Sequence, residues 1–144
     1  MNRLARAYER LQQAGGLPAV VVAVHEGFVA ALTALRAHED PDSAWFGEFV
    51  MAAALAADGR DALVFAPSMP ACRSPGTGIT DENAAAGAAE NIARDIAALC
   101  GLAAVRLARA AGPAADPGDQ AACVRAARCA QRICELLAGA GAGG

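Results

Sequence analysis

The chain has 144 residues, a formal net charge of -3 at pH 7, 56% hydrophobic residues and 4% aromatic residues. This length suits one ordinary domain, and the composition is typical of a globular protein rather than a disordered one. All 12 basic residues are arginine, which excludes Schiff-base chemistry and a phosphate-binding P-loop lysine. Because the charge is weak and aromatic residues are few, we expect no nucleic-acid partner.

The cysteines predict free thiols rather than disulfides. An odd number of cysteines, and an N-terminus (MNRLARAYERLQQ) without the apolar segment of a secretory signal, indicate a reducing compartment. We therefore expect a cytoplasmic protein. No CxxC occurs, and His25 and His38 are the only histidines, so no metal spacing is recognisable and we expect no metal or other cofactor. The five cysteines are Cys72, Cys100, Cys123, Cys129 and Cys134.

The N-terminal half is predicted to form three helices. Residues 2–13 carry apolar residues on one face, which indicates a short amphipathic helix. Residues 19–38 begin with AVVVAV; their length favours a helix, although β-branched valines favour a strand. After the polar break at Asp40-Pro41, the stretch 44–57 (AWFGEFVMAAALAA) is apolar almost all round. Such a pattern is typical of a helix surrounded by protein, so this stretch is the predicted centre of the core.

Two helices follow in the C-terminal half. Residues 67–79 hold three prolines and two glycines and are predicted to be a loop. A long helix then starts near Thr80, and a last helix, capped by Asp116 or Asp119, ends near Ala138. The predicted apolar stripe of the long helix consists of Ile92, Ile96, Leu99, Cys100, Ala103 and Leu107. The expected fold is all-α: a four-helix-type bundle with a short additional N-terminal helix. It would form a single domain over residues 1–138, followed by a flexible Ala/Gly tail over residues 139–144.

A small α/β domain is the alternative, with AVVVAV and ALVFA as parallel strands. The stretch Asp61–Pro67 (DALVFAP), followed by Gly78–Asp81 (GITD), faintly resembles the strand–loop–helix of the flavin-dependent cysteine decarboxylase family. That resemblance implies a loop that carries an asparagine and contacts flavin or substrate. The loop here has no asparagine before Asn83, and the chain lacks an early glycine-rich phosphate turn. The resemblance therefore supports only the α/β alternative.

Candidate site residues surround the central stretch. If the second and third helices form a hairpin about Asp40-Pro41, Glu48 lies near Arg36. The favoured interpretation is an ion pair between them; the alternative is a general base with a raised pKa. The same hairpin places His25 near Asp58 and Asp61, which could orient it for proton transfer. The catalytic candidates are therefore Glu48, His25 and Arg36, whereas the ligand-binding candidates are Trp45, Cys72, Arg73 and Thr77.

Two further side chains have mainly structural interpretations. His38 is expected to be a solvated helix end. Cys129 has Arg125 and Arg132 at helical neighbour spacing, which would favour a thiolate. A small residue at the edge of an apolar stripe is the preferred interpretation of Cys129.

Two classes of function remain open. The first is a non-enzymatic helical bundle that self-associates, most readily as a homodimer, or binds a protein partner. The second is a small-molecule-binding protein, or a cofactor-independent enzyme of the lyase or isomerase type, with a pocket near Glu48 and the 67–79 loop. The stretch 44–57 is shorter than the roughly 20 apolar residues that cross a bilayer, so we expect no membrane partner. A dry, polar-lined cavity at Glu48 would favour the enzyme, whereas an apolar surface patch would favour self-association.

Overall fold

A computed structural model describes residues 2–70, 88–112 and 116–143 of the chain. These residues are all-α, as predicted, with a short N-terminal helix and four longer helices. No strand occurs in the described ranges, so the segments AVVVAV and ALVFA do not form the sheet of the α/β alternative. The helices are α1 (Arg3–Gln13), α2 (Leu17–Ala37), α3 (Phe46–Val64), α4 (Ala89–Ala110) and α5 (Pro117–Gly143).

The four long helices form a bundle in the order α2, α3, α5, α4 around its axis. Helix α2 packs against α3 and α4, and α5 also packs against α3 and α4. Helices α3 and α4, although consecutive in the chain, therefore occupy diagonal corners. Helix α1 packs against α2 and α4 on the outside of the bundle.

Helices α1 and α2 run antiparallel. Arg10 of α1 bonds Glu26 of α2, whereas Arg3 bonds Thr33 further along. Near the end of α4, the Arg106 guanidinium donates to the carbonyl oxygens of Gln12 at 2.6 Å and Ala14 at 3.3 Å. Arg106 thus joins the end of α4 to the end of α1 and supplies partners for carbonyls that a helix terminus leaves free.

The core is built from aliphatic and alanine side chains, because alanine lets helices approach closely. The apolar stripe predicted for α4 is buried throughout, and the largest enclosed side chains are Phe28 and Phe49. The stripe consists of Ile92, Ile96, Leu99, Cys100, Ala103 and Leu107.

Helix α3 is not surrounded by protein, contrary to the prediction. It buries one face, centred on Phe49, Ala52 and Ala56, whereas Val50 and Met51 are exposed. A corner helix of a four-helix bundle touches only two long neighbours, so its outer face remains in solvent. The chain encodes no polar residues for much of that face.

Helix ends follow the sequence signals in part. Asp116 caps α5, because its carboxylate accepts from the Gly118 N–H at 2.7 Å. Helix α3 starts at Phe46, slightly later than expected, and its N-cap is Trp45, which makes no side-chain cap hydrogen bond. The α5 backbone is helical to Gly143, beyond the predicted end. Gly16, with φ of +85°, precedes α2 in a conformation that favours glycine.

Helix α2 is the most apolar element. Its length and its mean hydropathy of 1.7 would allow it to cross a membrane, yet 56% of the apolar window is buried inside the bundle. A core helix of a soluble protein meets the same criterion. The expectation of no membrane partner stays a prediction.

Candidate functional site

The turn between α2 and α3 decides which candidate residues meet. His38 contacts Phe49 edge to face, with ring centroids 6.5 Å apart. Further along the same hairpin, Gly59 lies against the ring of Phe28. In each pair, the two residues lie at equal sequence distances before and after the same point, which falls just before Ala44. The predicted hairpin was centred at an earlier point, because residues 38–45 form a longer turn than the sequence suggested.

Glu48 and Arg36 do not form the predicted ion pair. Glu48 is half-exposed in the first turn of α3, and Arg36 is exposed in the last turn of α2. The two ion pairs within the described ranges involve other residues. The longer turn shifts Glu48 toward the end of the bundle, so the prediction of this contact was wrong. A role of Glu48 as a general base stays a prediction.

His25 lies half-buried on α2, close to charged groups of both signs. Burial lowers its pKa below 6.5, and the nearby Arg60 lowers it further; Glu26 and Asp61 act in the opposite direction. The predicted proximity of His25 to Asp61 is therefore found. No hydrogen bond between the imidazole and a carboxylate is present in the described part of the chain.

The other histidine belongs to an aromatic cluster, which the sequence analysis did not anticipate. The ring of Trp45 packs at a tilt on the ring of Phe49, with centroids 5.6 Å apart. Phe49 also makes the edge-to-face contact with His38. The His38 Nδ1 lies 3.0 Å from the Ala34 carbonyl oxygen. His38 does end α2, as its C-cap, but it is half-buried by packing rather than solvated. Trp45 contributes its ring to this cluster.

The four cysteines in the described part of the chain behave as packing residues. Cys100, Cys123, Cys129 and Cys134 are free thiols, as predicted. Burial raises the pKa of Cys100 to about 12. The pKa of Cys129 is also raised, first by burial and then by Asp58, and the two arginines beside it only oppose that shift. Neither of these thiols is activated as a nucleophile.

Three ligand-binding candidates, Cys72, Arg73 and Thr77, lie outside the described residues, as do most of the 67–79 loop and the predicted helix start at Thr80.

Asp119 is a buried carboxylate. From the sequence it was expected only as a possible cap of the last helix, and its burial was not predicted. Its side chain is 4% exposed and accepts two hydrogen bonds from Ser68, one from the backbone N–H at 2.8 Å and one from the hydroxyl at 2.7 Å. These bonds satisfy the carboxylate and fasten the chain after α3 to the first turn of α5. The arrangement is structural, since both carboxylate oxygens are already occupied.

Two grooves in the described surface are open and lie away from the candidate catalytic residues. One runs along α5, and the other lies between α1 and α2. Neither is lined by Glu48, His25 or Trp45. Within the described ranges, no three His, Cys, Asp or Glu side chains are grouped to hold a metal ion. The α5 groove is lined by Pro117, Gln120, Ala121, Val124, Arg125 and Arg128.

No protein-family model, curated protein or solved structure matches the chain.

Proposed function

We propose that the protein is a non-enzymatic helical module that self-associates, in the simplest case as a homodimer. One observation carries the proposal: of the six large hydrophobic side chains that are exposed in the described ranges, four belong to α3 or its C-cap. They are Val50, Met51, Val64 and Phe65.

The exposure of these side chains is unusual in degree. Phe65 is 84% exposed and Met51 is 55% exposed. Single exposed hydrophobic residues are ordinary, but several along one helix are typical of an interaction surface. Full burial of a side chain of this size contributes roughly 1.5–3 kcal/mol, so a few of them would offset much of the entropy lost on association.

The enzymatic alternative has less support. It requires a pocket near Glu48, Trp45 and His25, and neither groove in the described surface includes them. Burial favours the neutral form of the His25 imidazole, which is the form of a proton acceptor. His25 lines neither of these two grooves, so we favour self-association.

Light scattering coupled to size exclusion tests the proposal. At tens of micromolar, we expect the parent chain to have twice the 14.4 kDa chain mass. Met51→Glu should shift the mass toward the monomer, because a carboxylate would be desolvated in the interface. Val105→Glu on α4 is the matched control, since Val105 and Met51 are both 55% exposed. A monomeric parent at this concentration would overturn the proposal.

A further inference from the structure

Helix α5 presents an open groove with two arginines to solvent. The groove is lined by these arginines, a glutamine and three apolar residues, of which Val124 is half-exposed. The two ion pairs of the described ranges belong to other arginines, so Arg125 and Arg128 carry charges that no carboxylate pairs there. We call this set the arginine groove; it consists of Pro117, Gln120, Ala121, Val124, Arg125 and Arg128.

The carboxylates nearest to the arginine groove along the chain are already engaged. Asp116 caps α5, and Asp119 is buried and accepts both of its hydrogen bonds from Ser68. Asp58 of α3 acts on Cys129, the residue after Arg128, but it forms no ion pair in the described ranges. The groove therefore presents positive charge beside apolar surface, and a surface that combines carboxylates with apolar side chains complements it.

The turn between α2 and α3 has this opposite charge. Between residues 36 and 48 the chain carries four carboxylates and a single arginine, Arg36. Three of the carboxylates are exposed and the fourth is half-exposed, and the half-buried Trp45 adds apolar surface beside them. We call this segment the acidic turn; its carboxylates are Glu39, Asp40, Asp42 and Glu48.

The acidic turn and the arginine groove do not meet within one subunit. The action of Asp58 on Cys129 places Arg128 near the level of Asp58 along α3. Asp58 is twelve residues after Phe46, the first residue of α3, which corresponds to about 18 Å along the helix. This distance is more than twice the Debye length of about 8 Å at physiological ionic strength. The two surfaces therefore do not neutralise each other inside the chain.

One side of α3 connects the two surfaces. Asp58 acts on Cys129 of α5, so this side of α3 lies beside α5. Met51 and Phe65 are seven residues before and after Asp58, so they lie on the same side of the helix, and both are exposed. Exposed apolar side chains thus follow α3 from the acidic turn toward the end at which α5 begins.

We propose that two copies of this chain dimerise with the acidic turn of each copy in the arginine groove of the other, about a two-fold axis perpendicular to α3 and α5. Such a rotation reverses the direction of the helices. It brings the turn at one end of a subunit beside the groove toward the opposite end of its partner. The contact is then made twice and closes at the dimer.

This arrangement accounts for the exposed apolar side chains as well as for the charges. Met51 and Phe65 lie on the side of α3 that adjoins α5, so the partner subunit covers them when it occupies the groove. The inference rests on the proposed self-association and adds the two surfaces, their relative orientation and the role of charge.

Charge reversal on each surface tests the contact. Arg125→Glu combined with Arg128→Glu makes the groove acidic, whereas Glu39→Arg combined with Asp42→Arg makes the turn basic. Each of these double variants should be monomeric in light scattering at tens of micromolar. Its dimer dissociation constant should rise at least about tenfold, because like charges then face each other across the interface.

Restoration of the dimer identifies the partner surface. When the two double variants are mixed, each groove faces a turn of opposite charge, so the mixture should regain twice the 14.4 kDa chain mass. A chain that carries all four changes should dimerise with itself for the same reason. The control, Arg6→Glu combined with Arg109→Glu, reverses two exposed arginines on α1 and α4 and should remain dimeric.

Each outcome decides a specific point. A dimer that survives both reversals overturns this inference but leaves self-association intact, and a mixture of the two variants that stays monomeric has the same consequence. A mass above that of the dimer indicates an open head-to-tail contact and also overturns the two-fold arrangement. A monomeric parent overturns both proposals. Circular dichroism of each variant confirms that the helices are retained.

Discussion

The Ser68 hydroxyl donates to Asp119 Oδ2 at 2.7 Å and joins two segments that are 51 residues apart in the chain. The Ser68 N–H also donates to the other oxygen of the same carboxylate at 2.8 Å. Because Asp119 is buried, these two bonds replace the water that the carboxylate loses on folding. The contact holds the end of α3 against the start of α5 at one end of the bundle.

Asp119→Asn should therefore lower the free energy of unfolding by about 1–3 kcal/mol, because its amide group would oppose one of the two Ser68 donors. Urea denaturation measures the change. Asp116→Asn is the control: Asp116 is exposed and caps α5, and asparagine caps a helix equally well. If the two variants lose the same stability, the bonds to Ser68 are not what stabilises this end of the bundle.

The close packing of α2 on α3 depends on Gly59. A Cβ at this position would lie 2.5 Å from Cζ of Phe28, and Phe28 is only 2% exposed and cannot swing away. Gly59→Ala should destabilise the fold by about 1–3 kcal/mol, although alanine is intrinsically better than glycine in a helix.

A control and a rescue separate the clash from helix propensity at Gly59. Gly101→Ala in α4 places its Cβ 3.7 Å from the Cys134 sulfur, an ordinary contact, and should stabilise by up to about 1 kcal/mol. Phe28→Leu should recover part of the stability lost in Gly59→Ala, because a shorter side chain relieves the overlap. Equal thermal shifts for the two alanine variants would contradict the clash.

The stability of the fold should depend on pH through His25. Its pKa in the folded state lies below 6.5, chiefly because of burial, so the unfolded chain binds this proton more tightly. The contribution of His25 to the free energy of unfolding is therefore fully present above pH 6.5. It is lost as the pH falls toward the lower pKa of the folded state.

Denaturation at about pH 7.5 and about pH 5.5 measures the pH dependence due to His25. The loss of unfolding free energy between the two pH values should be smaller in His25→Gln than in the parent, because glutamine does not titrate. Titrating carboxylates contribute nearly equally to both proteins, so their effect cancels in the comparison. An unchanged loss would show that this histidine is not responsible.

Local patterns in the sequence were enough to predict the helices, but they were not enough to predict the contacts between helices. The apolar stripe of α4 and the cap at Asp116 depend on neighbours within a turn or two, and both are found. The register of α2 on α3 depends on the length of one turn, and a small error there separated Glu48 from Arg36. Asp119 carries no local signal of burial, because its partner Ser68 is brought to it only by the completed bundle.

Helix α3 shows a second limit of prediction from the sequence. Its apolar pattern indicated burial on all sides, yet the bundle covers only one face and leaves Met51 and Phe65 in solvent. A pattern reports that a side chain favours an apolar environment, not whether the same chain or another copy provides it. The exposed hydrophobic side chains of α3 and its C-cap are the observation on which the proposed self-association rests.

The last prediction concerns Glu48, whose carboxylate lies in the first turn of α3 without the ion pair that the sequence suggested. A negative charge there interacts favourably with the helix dipole, so Glu48→Gln should cost only about 0.3–1 kcal/mol. Arg36→Met should change stability by no more than about 0.5 kcal/mol, because Arg36 is exposed. The double variant should be additive, since independent sites add. Thermal and urea denaturation of the parent, the two single variants and the double variant completes the double-mutant cycle.

A coupling free energy well above about 0.5 kcal/mol between Glu48 and Arg36 would mean that the two side chains interact in solution after all. A Gln variant that melts above the parent would instead indicate a carboxylate held at a cost to stability, and would favour the enzymatic alternative over self-association.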